Sequence, residues 1–266
     1  MNEELSVNEY LKKVTSLFQN QLGSNLIGIY LHGSLAMGCF HPELSDVDIL
    51  VVIKERLSKE KKKNIIQDIL QLEEYKLEMS ILLEKDVVDF KHPTPFELHY
   101  SQMHRERYLQ AEDYLCADSV DPDIAAHLVV TFERGKCLYG KPIRDVLKPI
   151  EGEYYLQSIL FDIENAVQEI VHNPVYYTLN LCRVFFFLTD GVVSSKKEGG
   201  EWGMKVLPDR YKDLVSISLI QYIEPTSKLN WDNVLLIEFA EYMIEEIQSG
   251  TRGQVHCPIP KIENFF

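Results

Sequence analysis

His32-Gly33-Ser34, followed by Ser45-Asp46-Val47-Asp48-Ile49-Leu50-Val51-Val52, is the stretch on which the reading of this chain turns. A Gly-Ser turn closes the apolar run Leu26 to Leu31, and an Asp-x-Asp pair opens the next run. Side chains alternate along a strand, so Asp46 and Asp48 share one face while Val47 and Ile49 take the other. Two adjacent carboxylates repel each other, and a hard divalent cation with oxygen ligands relieves them best. Gly33 and Ser34 together offer backbone N–H groups and a hydroxyl to a phosphate. A metal site beside a phosphate cradle is equipment for phosphoryl or nucleotidyl transfer.

Working outward, Val7 to Leu22 reads as an amphipathic helix and Leu26 to Leu31 as a strand. Asp46 to Ile53 is apolar enough to be a central strand. Lys54 to Glu74 is helical, with Ser58 as its N-cap. Lys76 to Leu83 alternates as a third strand, with Leu77, Met79 and Ile81 on one face and Glu78 and Ser80 on the other. If that strand neighbours Asp46–Ile53 in compatible register, Glu78 becomes a third carboxylate. Lys85 to His92 is a connector or short helix, and His92-Pro93-Thr94-Pro95 a rigid loop. Asp121-Pro122-Asp123 opens a helix that runs to Arg134.

Gly140-Lys141-Pro142 and Lys148-Pro149 mark a boundary. Beyond it the period is helical over Tyr154–Val171, Val175–Leu188, Pro208–Ile220 and Asn230–Gln248. The expected architecture is an α/β domain with a mixed sheet and helices over 1–149, followed by an all-α bundle over 150–266.

At 266 residues and 45% hydrophobic, the chain buries an ordinary globular core, which excludes wholesale disorder. A net charge of −14 repels nucleic acid, keeps the protein soluble and favours a cationic small substrate. Met1 to Tyr10 lacks a secretory pattern, and Val184 to Leu188 is far too short to span a bilayer, so a cytoplasmic location without membrane contact is expected. Cys39, Cys116, Cys137, Cys182 and Cys257 show no zinc spacing and are expected as reduced thiols.

Gly33-Ser34 on a strand-to-helix turn, Asp46/Asp48 on the next strand and Glu78 on a third resemble the nucleotidyltransferase superfamily related to DNA polymerase beta. In the second half, Arg183, Thr189-Asp190-Gly191, Ser195-Lys196, Glu201-Trp202-Gly203-Met204 and Leu207-Pro208-Asp209-Arg210-Tyr211 resemble the aminoglycoside nucleotidyltransferase family. The streptomycin 3''/spectinomycin 9-adenylyltransferase group is the nearest likeness, and it covers nearly the whole chain. The resemblance implies transfer of AMP from ATP to a hydroxyl of an aminoglycoside or aminocyclitol antibiotic, with pyrophosphate leaving. It implies that Asp46 and Asp48 hold Mg²⁺ and that Glu78 is both a metal ligand and the general base facing the drug. It further implies that Gly33, Ser34, Ser45 and Asp123 serve the nucleotide, with Lys196 and Tyr222 completing the ATP site from the C-terminal half.

There are departures from the family pattern. The spacing from Gly33-Ser34 to Asp46 is slightly long. No Trp stands near Met103 or His104 to pack on streptomycin, and Asn173 occupies a substrate position where the family has an acid. These changes speak against a guanidinium-bearing drug and leave spectinomycin or another acceptor.

Plainer readings stand beside these. His32 reads as a packed strand terminus, Trp202 and Phe185-Phe186-Phe187 as core, and Asp123 as an acid favouring its own helix start. Lys196 also reads as an ordinary loop charge, and Tyr222 as core packing. Alternative functions are nucleotidyl transfer to a protein or another small molecule, and a non-catalytic regulatory module of the same fold. The oligomeric state is open, with a monomer as the expectation.

Overall fold

A computed structural model describes residues 3–224 and 230–254, and Cys257 lies outside the described residues. The chain divides into two compact units, Met1–Glu151 and Gly152–Phe266. In chain order the first unit contains α1 (Glu3–Leu22), β1 (Leu26–His32), α2 (Gly33–Ala36), β2 (Val47–Ile53), α3 (Lys59–Ile69), β3 (Leu77–Leu83) and α4 (Glu84–Val88). There follow β4 (Thr94–Tyr100), α5 (Gln102–Gln110), β5 (Ala117–Asp121), α6 (Ile124–Arg134), β6 (Lys136–Gly140) and α7 (Ile143–Val146).

The six strands form one mixed sheet in the order β5-β4-β3-β2-β1-β6. Only β2 and β3 run parallel, and the connection between them is the helical crossover α3 that such a pair requires. Both strands are buried along almost their whole length, which their unbroken apolar runs demand. One face packs Ile29, Val51 and Ile81 against Val14 and Phe18 of α1 and Ile65 and Ile69 of α3. The other packs Tyr30, Leu50 and Leu82 against Ile124 and Leu128 of α6.

Ser58 caps α3, its side chain accepting from the Lys61 N–H at 3.2 Å, but the helix stops at Ile69, short of the expected Glu74. The rigid loop expected at His92–Pro95 is shorter than read, because Thr94 and Pro95 already belong to β4. Proline is tolerated there for a positional reason. The ladder between β3 and β4 ends at Ile81↔Leu98, so Pro95 faces only Val120 of β5 and leaves no β3 carbonyl waiting for an N–H.

The second unit is helical: α8 (Gly152–Phe161), α9 (Ala166–Glu169), α10 (Pro174–Asp190), α11 (Lys196–Val206), α12 (Asp209–Ile223) and α13 (Asn233–Gln254). The single helix expected over Tyr154–Val171 is broken after Phe161. At the break Asp162 turns to Tyr176, which donates to it at 3.2 Å, and to Arg183, which bridges to it. α10 is the central helix and packs on all five others. α11 has no counterpart among the expected helices, since Gly199, Gly200 and Gly203 lower its helix propensity. It forms because those glycines let it lie directly on α10. A Cβ at Gly199 would come within 2.8 Å of the Arg183 backbone. A capping box between Ser195 and Glu198 starts it.

Candidate active site

The candidate site of the first unit lies where β1 ends and β2 and β3 begin. His32 pairs with Asp48 across β1 and β2, and Asp48 pairs with Glu78 across β2 and β3. One row of the sheet therefore sets an imidazole and two carboxylates side by side. Asp46 precedes β2 by one residue, close enough for its charge to act on Glu78. The chain reaches Asp46 through a turn in which Ser45 is clamped. The His41 N–H donates to Ser45 Oγ at 3.1 Å, and the Ser45 N–H donates to the His41 carbonyl at 2.8 Å.

Gly33 must be glycine. Its φ is +62°, and a Cβ there would stand 1.8 Å from Asp48 Oδ2. The Asp48 carboxylate thus occupies the space that a side chain at Gly33 would fill. Ser34 follows in the first turn of α2, and its Oγ is buried without a hydrogen-bond partner. A buried hydroxyl with no acceptor costs about 1–3 kcal/mol, so it is a position prepared for an incoming acceptor such as a phosphate oxygen.

Electrostatics sharpen the row. Burial pushes the Glu78 carboxyl above its usual range; His127 opposes this, while Asp46, Asp123 and Asp121 push the same way. The result is a carboxylate with raised proton affinity. His127 stands on α6, and its Nε2 lies 3.1 Å from Asp123 Oδ2 and 4.0 Å from Glu78 Oε1. Its ring lies 4.9 Å from that of His32. Burial would lower the His127 imidazole, but the hydrogen bond to Asp123 and the charges of Asp123, Glu78 and Asp48 carry it up to about 10. Burial, with the His127 charge beside it, holds His32 well below 6.5, so it is the neutral partner of the ring pair. Sequence reasoning missed His127. The available signal was the Asp123-to-His127 spacing of four, which stacks acid and imidazole on one helix face.

Asp123 sits at the start of α6 but makes no side-chain cap; it turns to His127 instead. Among the described residues, no three His, Cys, Asp or Glu side chains converge closely enough to enclose a metal ion. Asp48 and Glu78 are opposite each other on neighbouring strands, and His127 stands within reach of Glu78. The donors in the row are carboxylate oxygens, the chemistry Mg²⁺ takes.

Lys196, Tyr222 and Asn173 belong to the second unit. Lys196 opens α11, with its Nζ 4.7 Å from the centre of the Tyr176 ring. Asn173 precedes α10 as its N-cap residue, one turn from Tyr176, without a side-chain capping bond. Tyr222 lies in the last turn of α12. Trp202 stacks on Phe186 at 4.9 Å and donates to Asp190, so it packs within the bundle.

Comparison with known proteins finds likenesses to both halves of the chain. Residues 12–113 match the polymerase beta nucleotidyltransferase domain, and residues 145–246 match the C-terminal domain of aminoglycoside adenylyltransferases. A spectinomycin 9-adenylyltransferase of Campylobacter jejuni is 25% identical, over 91% of this chain and 98% of that protein. An aminoglycoside (3'') (9) adenylyltransferase of Klebsiella pneumoniae is 23% identical, over 91% of this chain and 95% of that protein. In fold, the chain is similar to the crystal structure of the Enterococcus spectinomycin adenyltransferase AAD(9) with ATP and spectinomycin. That likeness has a TM-score of 0.77 at 23% identity and covers 91% of this chain and 99% of that one. Among the described residues, no helix is long and apolar enough to cross a membrane.

Proposed function

We propose, from the premise that this chain belongs to the aminoglycoside nucleotidyltransferase family, that it transfers AMP from ATP to a hydroxyl of an aminocyclitol antibiotic. The observation that carries the proposal is the row His32, Asp48 and Glu78 on three adjacent strands, with Gly33 and the orphaned Ser34 hydroxyl directly after His32. In chemical terms, the drug oxygen bonds to the α-phosphorus, the bond from that phosphorus to the bridging oxygen breaks, and pyrophosphate leaves. Glu78 takes the hydroxyl proton, a task its raised proton affinity suits. Ser34 Oγ donates to a phosphate oxygen, and the missing side chain at Gly33 keeps that approach open and Asp48 in place. Asp48 and Glu78, with Asp46 beside them, would supply one or two carboxylate ligands to Mg²⁺, which when bound neutralises charge on the phosphates.

We assign nucleotidyl chemistry to residues 1–149 and nucleotide contacts to Lys196 and Tyr222 of residues 150–266. Ser45 orders the turn before Asp46, and Asp123 with His127 flanks the nucleotide side of Glu78. Asn173, being neutral, and the lack of Trp at Met103 or His104 favour spectinomycin over streptomycin. A net charge of −14 favours a cationic acceptor over nucleic acid. The described cysteines Cys39, Cys116, Cys137 and Cys182 are free thiols, in keeping with a cytoplasmic enzyme.

The test is mass spectrometry of spectinomycin, streptomycin, a lincosamide and kanamycin after incubation with ATP and Mg²⁺, with Asp48→Asn as control. One adenylyl increment on spectinomycin, absent with the variant, is the expected result. No increment on any drug, or label appearing on protein instead, refutes the assignment.

A further inference from the structure

The sheet face that carries Glu78 continues away from the carboxylate row. Two residues further along β3, roughly 7 Å on, Ser80 points to the same side. Ser80 pairs with His99 of β4, and their side chains meet, Ser80 Oγ lying 2.9 Å from His99 Nδ1. His99 is therefore the diagonal cross-strand neighbour of Glu78, with about 7–8 Å between the two backbone positions.

His99 is held from three sides. Ser80 takes one edge of its ring, the His104 ring stands edge-on to it at 5.5 Å, and the Tyr108 hydroxyl donates to its carbonyl at 2.7 Å. His104 is itself fixed, its Nδ1 lying 2.6 Å from the Tyr114 hydroxyl. One ring atom is left over. Among the described residues His99 Nε2 has no hydrogen-bond partner, and it is not sealed from solvent.

The surroundings also say which kind of group Nε2 is. Ser80 is 2% exposed, and among the described residues its hydroxyl meets only His99 Nδ1. A buried O–H without an acceptor is costly, so Ser80 donates to Nδ1 and the ring proton sits on Nε2. Burial, aided by the His104 and His127 charges, keeps the imidazole uncharged at neutral pH. A fixed, neutral N–H donor thus stands beside the carboxylate assigned as the base. Such a donor takes an oxygen and refuses an ammonium.

We propose that His99 is a substrate-binding residue, its Nε2–H donating to a hydroxyl or ether oxygen on the carbon next to the hydroxyl that Glu78 deprotonates. The inference rests on the reading of Glu78 as the base of adenylyl transfer. Substituents on adjacent carbons of a saturated ring, each with a hydrogen bond of about 3 Å, span a gap of the size of the Glu78–His99 diagonal. Ser80 is a positioning residue, since it fixes the ring and its tautomer.

The test is steady-state adenylyl transfer to spectinomycin by the full chain with ATP and Mg²⁺, comparing wild type, His99→Phe, His99→Gln and Ser80→Ala. His99→Phe keeps a ring but offers no N–H, and it should raise the KM for spectinomycin about three- to tenfold, the worth of one neutral hydrogen bond. The KM for ATP should stay within twofold, because the lost contact is to the acceptor alone. His99→Gln, which offers an oxygen to Ser80 and an N–H outward, should stay nearer to wild type than His99→Phe. Ser80→Ala should also raise the drug KM at least threefold, by releasing the ring, and it decides the matter if His99→Phe does not fold. A drug KM raised less than threefold by these variants, a KM for ATP raised by the same factor, or a His99→Gln enzyme no better than His99→Phe overturns the proposal while leaving the function assignment intact. A wild-type enzyme that transfers nothing to spectinomycin overturns both.

Discussion

Gly33→Ala tests the geometry of the candidate site more sharply than loss of any charged group. Two costs follow from the structure. The first is conformational: φ at Gly33 is +62°, a region where an L side chain costs about 1–2 kcal/mol. For a chain of this size that amounts to a fall in Tm of roughly 2–8 °C. The second is steric. The new methyl group would stand 1.8 Å from Asp48 Oδ2 and 2.7 Å from its Cγ, so the carboxylate must retreat by about 1 Å. A displacement of that size at a reacting centre costs on the order of 10²-fold in turnover.

Gly38→Ala separates the two costs. Gly38 also has positive φ, +76°, but nothing lies within 4 Å of where its Cβ would stand. Both variants should therefore lose thermal stability by differential scanning fluorimetry, Gly33→Ala at least as much as Gly38→Ala. Only Gly33→Ala should lose roughly 10²-fold in kcat for adenylyl transfer at saturating ATP and drug. If Gly33→Ala turns over within twofold of Gly38→Ala, Asp48 does not need the vacant space at Gly33, and the reasoning fails.

Glu78→Gln should lower single-turnover transfer by about 10²–10⁴-fold while ATP and drug still bind by calorimetry; unchanged transfer would remove Glu78 as the base. His99 provides a pH signature. Burial, aided by the His104 and His127 charges, holds its imidazole at about 4, against 6.5 when unfolded. A depressed histidine binds its proton more readily in the unfolded chain, so its stability contribution is complete above about 6.5 and is lost as pH falls towards 4. The loss is at most about 3 kcal/mol. His99→Gln, which keeps a partner for the Ser80 hydroxyl now 2.9 Å from His99 Nδ1, should flatten the fall of Tm between pH 6.5 and 4. An equally steep fall would assign it to other groups. Lys62→Met leaves the buried Glu97 carboxylate without its main counter-charge and should cost about 3–5 kcal/mol by urea denaturation. Adding Glu97→Gln should recover part of that, and a strictly additive further loss would argue against the pairing.

Much of the chain is legible residue by residue, and the limits have identifiable causes. The strands Leu26–His32, Val47–Ile53 and Leu77–Leu83 carry strong apolar periodicity, and Ser58 announces α3. By contrast, β5 and β6 are short and largely exposed edge strands whose sequences carry no apolar alternation. β4 hides behind two prolines, and α11 behind three glycines, because packing partners outweigh local propensity in each case.

The order of a Gly-Ser turn, an Asp-x-Asp strand and a third acidic strand was determined by the sequence alone, since alternation dictates which side chains share a face. Whether those faces meet was decided by the tertiary structure. Placing Asp48 opposite Glu78 requires a parallel register between β2 and β3, and a shift of one residue would turn Glu78 into the apolar core. The position of His127 needed the fold in the same way. α6 must cross the sheet before an imidazole 49 residues further along reaches Glu78, and no local periodicity records a contact made across that distance.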